Sequence, residues 1–238
     1  MKLVIKFPTR ARPEKFKNIL SRYVDFLTGD NHARFVITCD NDDETMNNSE
    51  MINWMDRMST RVDLVYHFGD NKTKVEAVNA DLENETGDVL LVVSDDMMPA
   101  SLNYDAIITE AFEKIFPNYD GAIKFSDGLR DDQLMTLPCM GWKLYKAIGH
   151  VYHPDYTSLF CDNEQTRLCA MLGKLAVADV CIARHEWVPG EHDLADELHK
   201  RNESFYKEDI AIFKERSDKN YDVEKVKEIL NELVPVQS

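Results

Sequence analysis

Acidic residues mark the ends of two apolar segments. The run Val89-Leu90-Leu91-Val92-Val93 passes directly into Ser94-Asp95-Asp96, and Arg34-Phe35-Val36-Ile37-Thr38-Cys39 stops on Asp40. A third acidic group, Asp162-Asn163-Glu164, opens a helical stretch, and His185 follows the last apolar segment. Short β-branched runs read as strands buried on both faces. Carboxylates at the ends of such strands lie where open α/β sheets bind their ligands. The adjacent pair Asp95-Asp96 suggests a divalent cation, and its hard oxygens suit Mg²⁺ or Mn²⁺.

The net charge of −15 argues against a nucleic-acid partner, which needs a basic footprint. A phosphorylated ligand would also be repelled unless a metal or local cations offset the field. Arg10, Arg12 and Lys72 are the cations nearest the strand ends, with Arg12 read first as a solvated surface residue. The five cysteines form no CxxC pair, so reduced thiols in a cytoplasmic protein are expected. No apolar run approaches the roughly 20 residues that cross a bilayer. The opening Met1–Pro8 lacks the pattern of a signal peptide.

Four β-then-α units must position these groups. Leu3–Phe7 is a strand, and Pro13 suits the first turn of a helix carrying Phe16, Ile19, Leu20, Tyr23 and Leu27. Arg34–Asp40 precedes a stripe of Met51, Trp54, Met55 and Met58. Val62–Phe68 precedes a helix carrying Val75, Val78, Asn79 and Leu82. Val89–Val93, with Pro99 expected to end any further strand, precedes an amphipathic helix over Tyr104–Ile115. This alternation predicts a mostly parallel sheet with right-handed crossovers and helices on both faces. The second half is less regular. It reads as a strand at Asp120–Phe125, a structured loop at Leu137–Trp142, a helix over Asp162–Leu172, a strand over Leu175–Ala183 and charged helices from Asp193 to Leu233.

In order, these features resemble a GT-A fold glycosyltransferase, most closely the glycosyltransferase family 2-like group. The resemblance rests on Phe7-Pro8-Thr9-Arg10, Asp40, Asn71-Lys72…Ala77…Asn79, Ser94-Asp95-Asp96…Pro99, and Asp162-Asn163-Glu164 followed by His185. It implies a Rossmann-like α/β domain over residues 1–190 and a helical C-terminal extension over 191–238 packed on it. It also implies transfer of a sugar from a nucleotide-sugar, expected to be a UDP-sugar, to an acceptor hydroxyl, with inversion and with Mn²⁺ or Mg²⁺. Asp96 matches the last acid of the family's Asp-x-Asp motif, the metal ligand, and a histidine in the region of His185 is a further ligand. Ser94 replaces the motif's first acid. Donor contacts fall to Pro8, Thr9, Arg10, Asp40, Lys72, Asn79, Ser94 and Asp95. Asp162 matches the catalytic base, with Glu164 as the fallback, and Cys161 stands where the family often has Glu.

Plainer roles compete at each position. Asp40 suits a turn, Asp162 an N-cap, His185 the surface, and the aromatics Trp142, Tyr152, Tyr156 and Trp187 suit packing. Asp127-Gly128 and Asp131-Asp132 resemble the family's loop between donor and acceptor or form a solvated turn. Two other functions stay open. A sugar nucleotidyltransferase shares the layout, but Pro8–Pro13 lacks the glycine-rich loop it would use. An inactive nucleotide-sugar-binding module accommodates Ser94 and Cys161. The acceptor, whether glycan, protein or small molecule, is not specified. The C-terminal helices can cover the domain, form homo-oligomers or bind a partner; covering the domain is the default.

Overall fold

The computed structural model describes residues 1–30, 32–128, 134–186 and 197–234, with the side chains of Leu198 and His199 excepted. Its first half repeats the β-then-α unit four times: β1 (Lys2–Pro8), α1 (Pro13–Asp25), β2 (His32–Asp40), α2 (Ser49–Ser59), β3 (Asp63–Gly69), α3 (Lys74–Asn79), β4 (Val89–Val92), then α4 (Tyr104–Ile115) after a short β5 (Met97–Pro99). The second half holds β6 (Ala122–Ser126), β7 (Cys139–Gly141), α5 (Trp142–Ile148), α6 (Cys161–Met171), β8 (Leu175–Cys181) and β9 (Ala183–His185). Three helices follow: α7 (Glu197–Glu203), α8 (Tyr206–Asp218) and, after a 3₁₀ turn at Asn220–Asp222, α9 (Val223–Leu233).

Seven strands form one sheet in the order β3-β2-β1-β4-β7-β6-β8. All neighbours run parallel except β7, which is antiparallel to both β4 and β6. The alternation of side chains along each strand splits the core in two. Leu3, Ile5, Phe7, Val89 and Leu91 face α1, α2 and α4. Val4, Val36, Leu90 and Val92 face the other way, with Val75, Val78, Trp142, Leu144, Leu168, Val226 and Leu230. Each fully buried Leu, Val or Phe contributes about 1.5–3 kcal/mol. Both faces are therefore apolar, as a central parallel sheet requires. The C-terminal helices share the second core through Tyr221, Val226 and Leu230.

Several elements differ from expectation. Leu137–Trp142 is not a loop: Cys139–Gly141 is β7, fully buried in the centre of the sheet, and Trp142 starts α5. Three residues are too few to display a period, so the strand is set by its neighbours. Gly141 is needed there because a Cβ would lie 2.2 Å from the Tyr119 carbonyl oxygen. Pro99 does not prevent a strand after the acids. Met97–Pro99 pairs antiparallel with Ala183–His185 in a separate two-stranded ribbon, whose short edge tolerates a proline. The single strand expected over Leu175–Ala183 breaks at buried Ile182 into β8 and β9. The α3 helix ends at Asn79, short of Leu82, with Asp81 in the left-handed region. All five cysteines are free and four are buried. Among the described residues no helix is long and apolar enough to cross a membrane.

Candidate functional site

The sheet order reverses between β1 and β4, since β2 and β3 extend one way from β1 and β4 lies on its other side. Open α/β sheets bind ligands at such a point, outside the carboxyl ends of the strands. A cavity of about 300 Å³ opens there. Pro8, Thr9 and Arg10 enter it from β1, Asp40 from β2, and Ser94, Asp95 and Asp96 from β4. Lys72 and Lys74 reach it from the start of α3, and Asp162 from the start of α6. His185 lies on the same wall. Ten of the twelve residues expected at the site therefore line one cavity; Asn79 and Glu164 do not.

At one end, Arg10 donates to Asp40 at 2.7 Å and also binds Asp42. Asn71 donates to the other Asp40 oxygen at 3.2 Å. Arg10 is thus a brace for Asp40, and hydrogen bonds to Asp42 and Asp40 raise its pKa further. The same contact lowers the Asp42 carboxyl. Lys72 is exposed, and its carbonyl accepts from Arg201 at 2.8 Å.

In the centre, Asp95 is only 3% exposed. It accepts from Thr9 Oγ1 at 2.9 Å and from Arg12 Nη1 at 2.6 Å. Burial pushes its carboxyl up to about 6, against the pull of Arg12. Thr9, Arg12 and Asp95 together tie the end of β1 to the end of β4. Arg12 is therefore buried, not the solvated surface cation first expected. Asp96 has a different set of partners. Ser94 Oγ donates to Asp96 Oδ1, and Arg12 Nη1 stands 3.7 Å from Oδ2. The β5–β9 ribbon sets Met97 opposite His185, and the Glu186 amide donates to the Asp96 carbonyl at 2.7 Å. This pairing brings His185 Nε2 to 3.9 Å from Asp96 Oδ1. Among the described residues no three His, Cys, Asp or Glu side chains converge as a complete metal cage. A carboxylate–imidazole pair open to a cavity instead fits an ion that takes its remaining ligands from phosphate and water.

Asp162 occupies the second position of α6, not the N-cap, which is Phe160 with φ 60°. Its carboxylate sits in the first turn, where the helix dipole favours negative charge. The adjacent Asn163 amide donates to Oδ1 at 2.9 Å.

Two residue roles need correction. Glu164 is 2% exposed and lies outside the cavity. Arg216 Nε donates to its two oxygens at 2.8 and 2.9 Å, and Tyr156 donates at 2.7 Å. A carboxylate so enclosed is a structural anion, not a reserve base. Asn79 is turned away from the cavity: its amide donates to the Tyr152 carbonyl at 2.7 Å and accepts from the Val151 and Tyr152 amides. It shapes the site only by holding Tyr152, which does line the cavity.

The structure also adds residues. Lys74, the first residue of α3, faces the cavity with its ammonium 6.0 Å from the Tyr152 ring centroid. The residue is exposed by surface area; the desolvation that lowers its pKa is outweighed by Cys161, Asp162, Asp96 and Asp209, which raise it. Helix starts face the carboxyl ends of parallel strands, a signal that applies to Lys74 as much as to Lys72. Asp127 is buried on the cavity wall and accepts from Thr136 Oγ1 at 2.9 Å. Thr157–Leu159 and residues 201–203 and 205 complete the wall. Of the aromatics, Trp142 and Tyr156 are buried in the second core. Trp187, Asp131 and Asp132 lie outside the described residues.

No protein-family model matches the chain, and no curated protein matches its sequence. Solved structures do match. A mannosyltransferase, PcManGT, from Pyrobaculum calidifontis in complex with GDP-Man and Mn²⁺ aligns with a TM-score of 0.63 at 14% identity, over 81% of this chain and 59% of that one. TarS from S. aureus in complex with UDP-GlcNAc aligns with a TM-score of 0.59 at 16% identity, over 82% of this chain and 62% of that one. Glucosyl-3-phosphoglycerate synthase from Mycobacterium tuberculosis, with Mg²⁺ and UDP, aligns with a TM-score of 0.51 at 11% identity, over 79% and 72%. The chain spans about three fifths of the length of the first two. With the strand order, the antiparallel β7 and the cavity at the switch point, these alignments identify the chain as having the GT-A glycosyltransferase fold.

Proposed function

We propose that this protein is a metal-dependent glycosyltransferase that moves a sugar from a UDP-sugar to an acceptor hydroxyl with inversion. The observation that carries the reading is the convergence of Asp40, Asp96, His185, Lys74 and Asp162 on one cavity at the switch point. Asp40, braced by Arg10, accepts hydrogen bonds from the nucleoside. Asp96 and His185 hold Mn²⁺ or Mg²⁺; when bound, the ion neutralises the diphosphate and favours its departure. Lys74 adds positive charge on the same side in a strongly acidic protein. Asp162 accepts the proton of the acceptor hydroxyl. The acceptor oxygen then bonds to the anomeric carbon as the bond from that carbon to the diphosphate oxygen breaks. One base on the acceptor side suits direct displacement with inversion.

A thermal-shift series with UDP, GDP and their sugar conjugates, with and without Mn²⁺, tests the donor class. A Mn²⁺-dependent shift with UDP supports the reading; an equal or larger shift with GDP replaces the nucleotide. Asp162→Asn should abolish transfer and retain UDP binding, and persisting transfer would remove Asp162 as the base.

A further inference from the structure

The C-terminal helix α8 touches the chain on both sides of Asp162. Asp209, Phe213 and Arg216 lie at i, i+4 and i+7 and share one face of the helix. Asp209 is 0% exposed. Its carboxylate accepts three consecutive backbone amides, from Thr157 at 2.8 Å, Ser158 at 2.9 Å and Leu159 at 2.7 Å. These three residues line the cavity, and the Thr157 carbonyl accepts from the Val75 amide at the start of α3. One turn along, the Phe213 ring lies 5.6 Å from Phe160 and 4.7 Å from the Arg167 guanidinium. Phe160 is the left-handed residue on which α6 begins, a conformation that costs a non-glycine residue about 1–2 kcal/mol. A further turn along, Arg216 grips Glu164, two residues after Asp162.

We propose that α8 is a positioning element of the active site, with Asp209 and Arg216 as positioning residues that fix Asp162 at the mouth of the cavity. The inference rests on the reading of Asp162 as the base. Three contacts on one helix face bracket a segment of eight residues with Asp162 inside it. A helix that only covered the domain would need apolar contacts alone. This one instead buries a carboxylate on the amides of the cavity wall and a guanidinium on the helix that carries the base. Such preorganisation acts on the chemical step more than on donor binding, because Asp40, Asp96 and His185 lie at the ends of β2, β4 and β9, outside the segment 157–164 that α8 holds. A misplacement of about 1 Å in a reacting group can cost about 100-fold in rate.

Asp209→Asn tests this, because its amide oxygen replaces part of the acceptor set while its NH₂ opposes a backbone N–H. Arg216→Lys tests the second contact, keeping the charge and losing the paired geometry; it also carries the test should Asp209→Asn fail to fold. The expected result is a 10- to 100-fold fall in kcat, with the UDP dissociation constant measured by calorimetry kept within about 3-fold. Glu208→Gln, on the exposed face of α8, should leave both unchanged. An unchanged kcat in the folded variants, or equal losses of kcat and UDP affinity, would overturn the proposal and leave α8 a structural cover. Asp162→Asn, measured in parallel, separates the two readings. Transfer by that variant removes the base itself. Its inactivity alongside fully active Asp209→Asn and Arg216→Lys removes only the role of α8.

Discussion

Replacing Arg216 with Met should unfold this protein far more readily than a typical surface change. Arg216 and Glu164 have side chains only 9% and 3% exposed, and two nitrogens of Arg216, Nε and Nη2, stand within 2.9 Å of the Glu164 carboxylate oxygens. Met keeps the apolar stem volume but leaves the Glu164 carboxylate buried with Tyr156 as its remaining donor. Removing one partner of a buried pair costs about 3–5 kcal/mol, because the other charge stays desolvated. Whole-domain stabilities are about 5–15 kcal/mol, so the loss is a large fraction of the total. At about 2–4 °C per kcal/mol for a chain of this size, the melting temperature should fall by about 6–20 °C. Asp222, the other Arg216 partner, is 51% exposed and remains solvated, so it adds little. Glu164→Leu combined with Arg216→Met removes both charges and should recover about 2 kcal/mol of the loss, the phenol of Tyr156 remaining unpaired. Urea unfolding of wild type, both single variants and the double variant gives the cycle. A single-variant cost below about 1 kcal/mol, with unchanged m, would refute the assignment of Glu164 as a charge held in place by α8.

Other expectations follow from individual residues. Lys6 is fully buried, donates to Thr38 Oγ1 and the Ala80 carbonyl, and burial lowers its pKa from 10.5 to about 8 despite Asp81. The unfolded chain therefore binds more protons between pH 8 and 10.5, so stability rises with pH across that window by up to about 3 kcal/mol. Lys6→Met should lose this rise in pH-dependent melting; parallel curves for the two proteins would count against it. Gly141→Ala should cost about 1–3 kcal/mol or more, since its Cβ meets the Tyr119 backbone; a melting temperature within 1–2 °C of wild type would show that β7 can shift. Asp96→Ala should abolish the Mn²⁺-dependent part of UDP affinity in calorimetry, and an unchanged Mn²⁺ response would move the metal site elsewhere.

The legible part of this chain is the part whose signals are local. β1, β2, β4 and α4 were readable because their apolar residues repeat within the element, and Asp40 and Asp96 because each ends such a run. β7 and the β5–β9 ribbon were not, because three-residue strands carry no period and their partners lie 18 to 88 residues away. Distance along the chain also explains two of the misread polar residues. Glu164 suits catalysis by type, yet its partner Arg216 is 52 residues on. Asn79 suits a ligand, yet its amide closes on residues 151 and 152. Ser94 shows the limit most clearly. Against the Asp-x-Asp pattern it reads as a lost carboxylate, a weakness of the site. In the fold its hydroxyl donates to Asp96, while Asp95 is occupied by Thr9 and Arg12. The three residues thus divide the work of one motif: Asp95 braces the strand ends, Ser94 orients, and Asp96 faces the cavity beside His185. That division concentrates the metal-binding prediction on Asp96 and His185, a pairing created only by the antiparallel register of Met97 with His185.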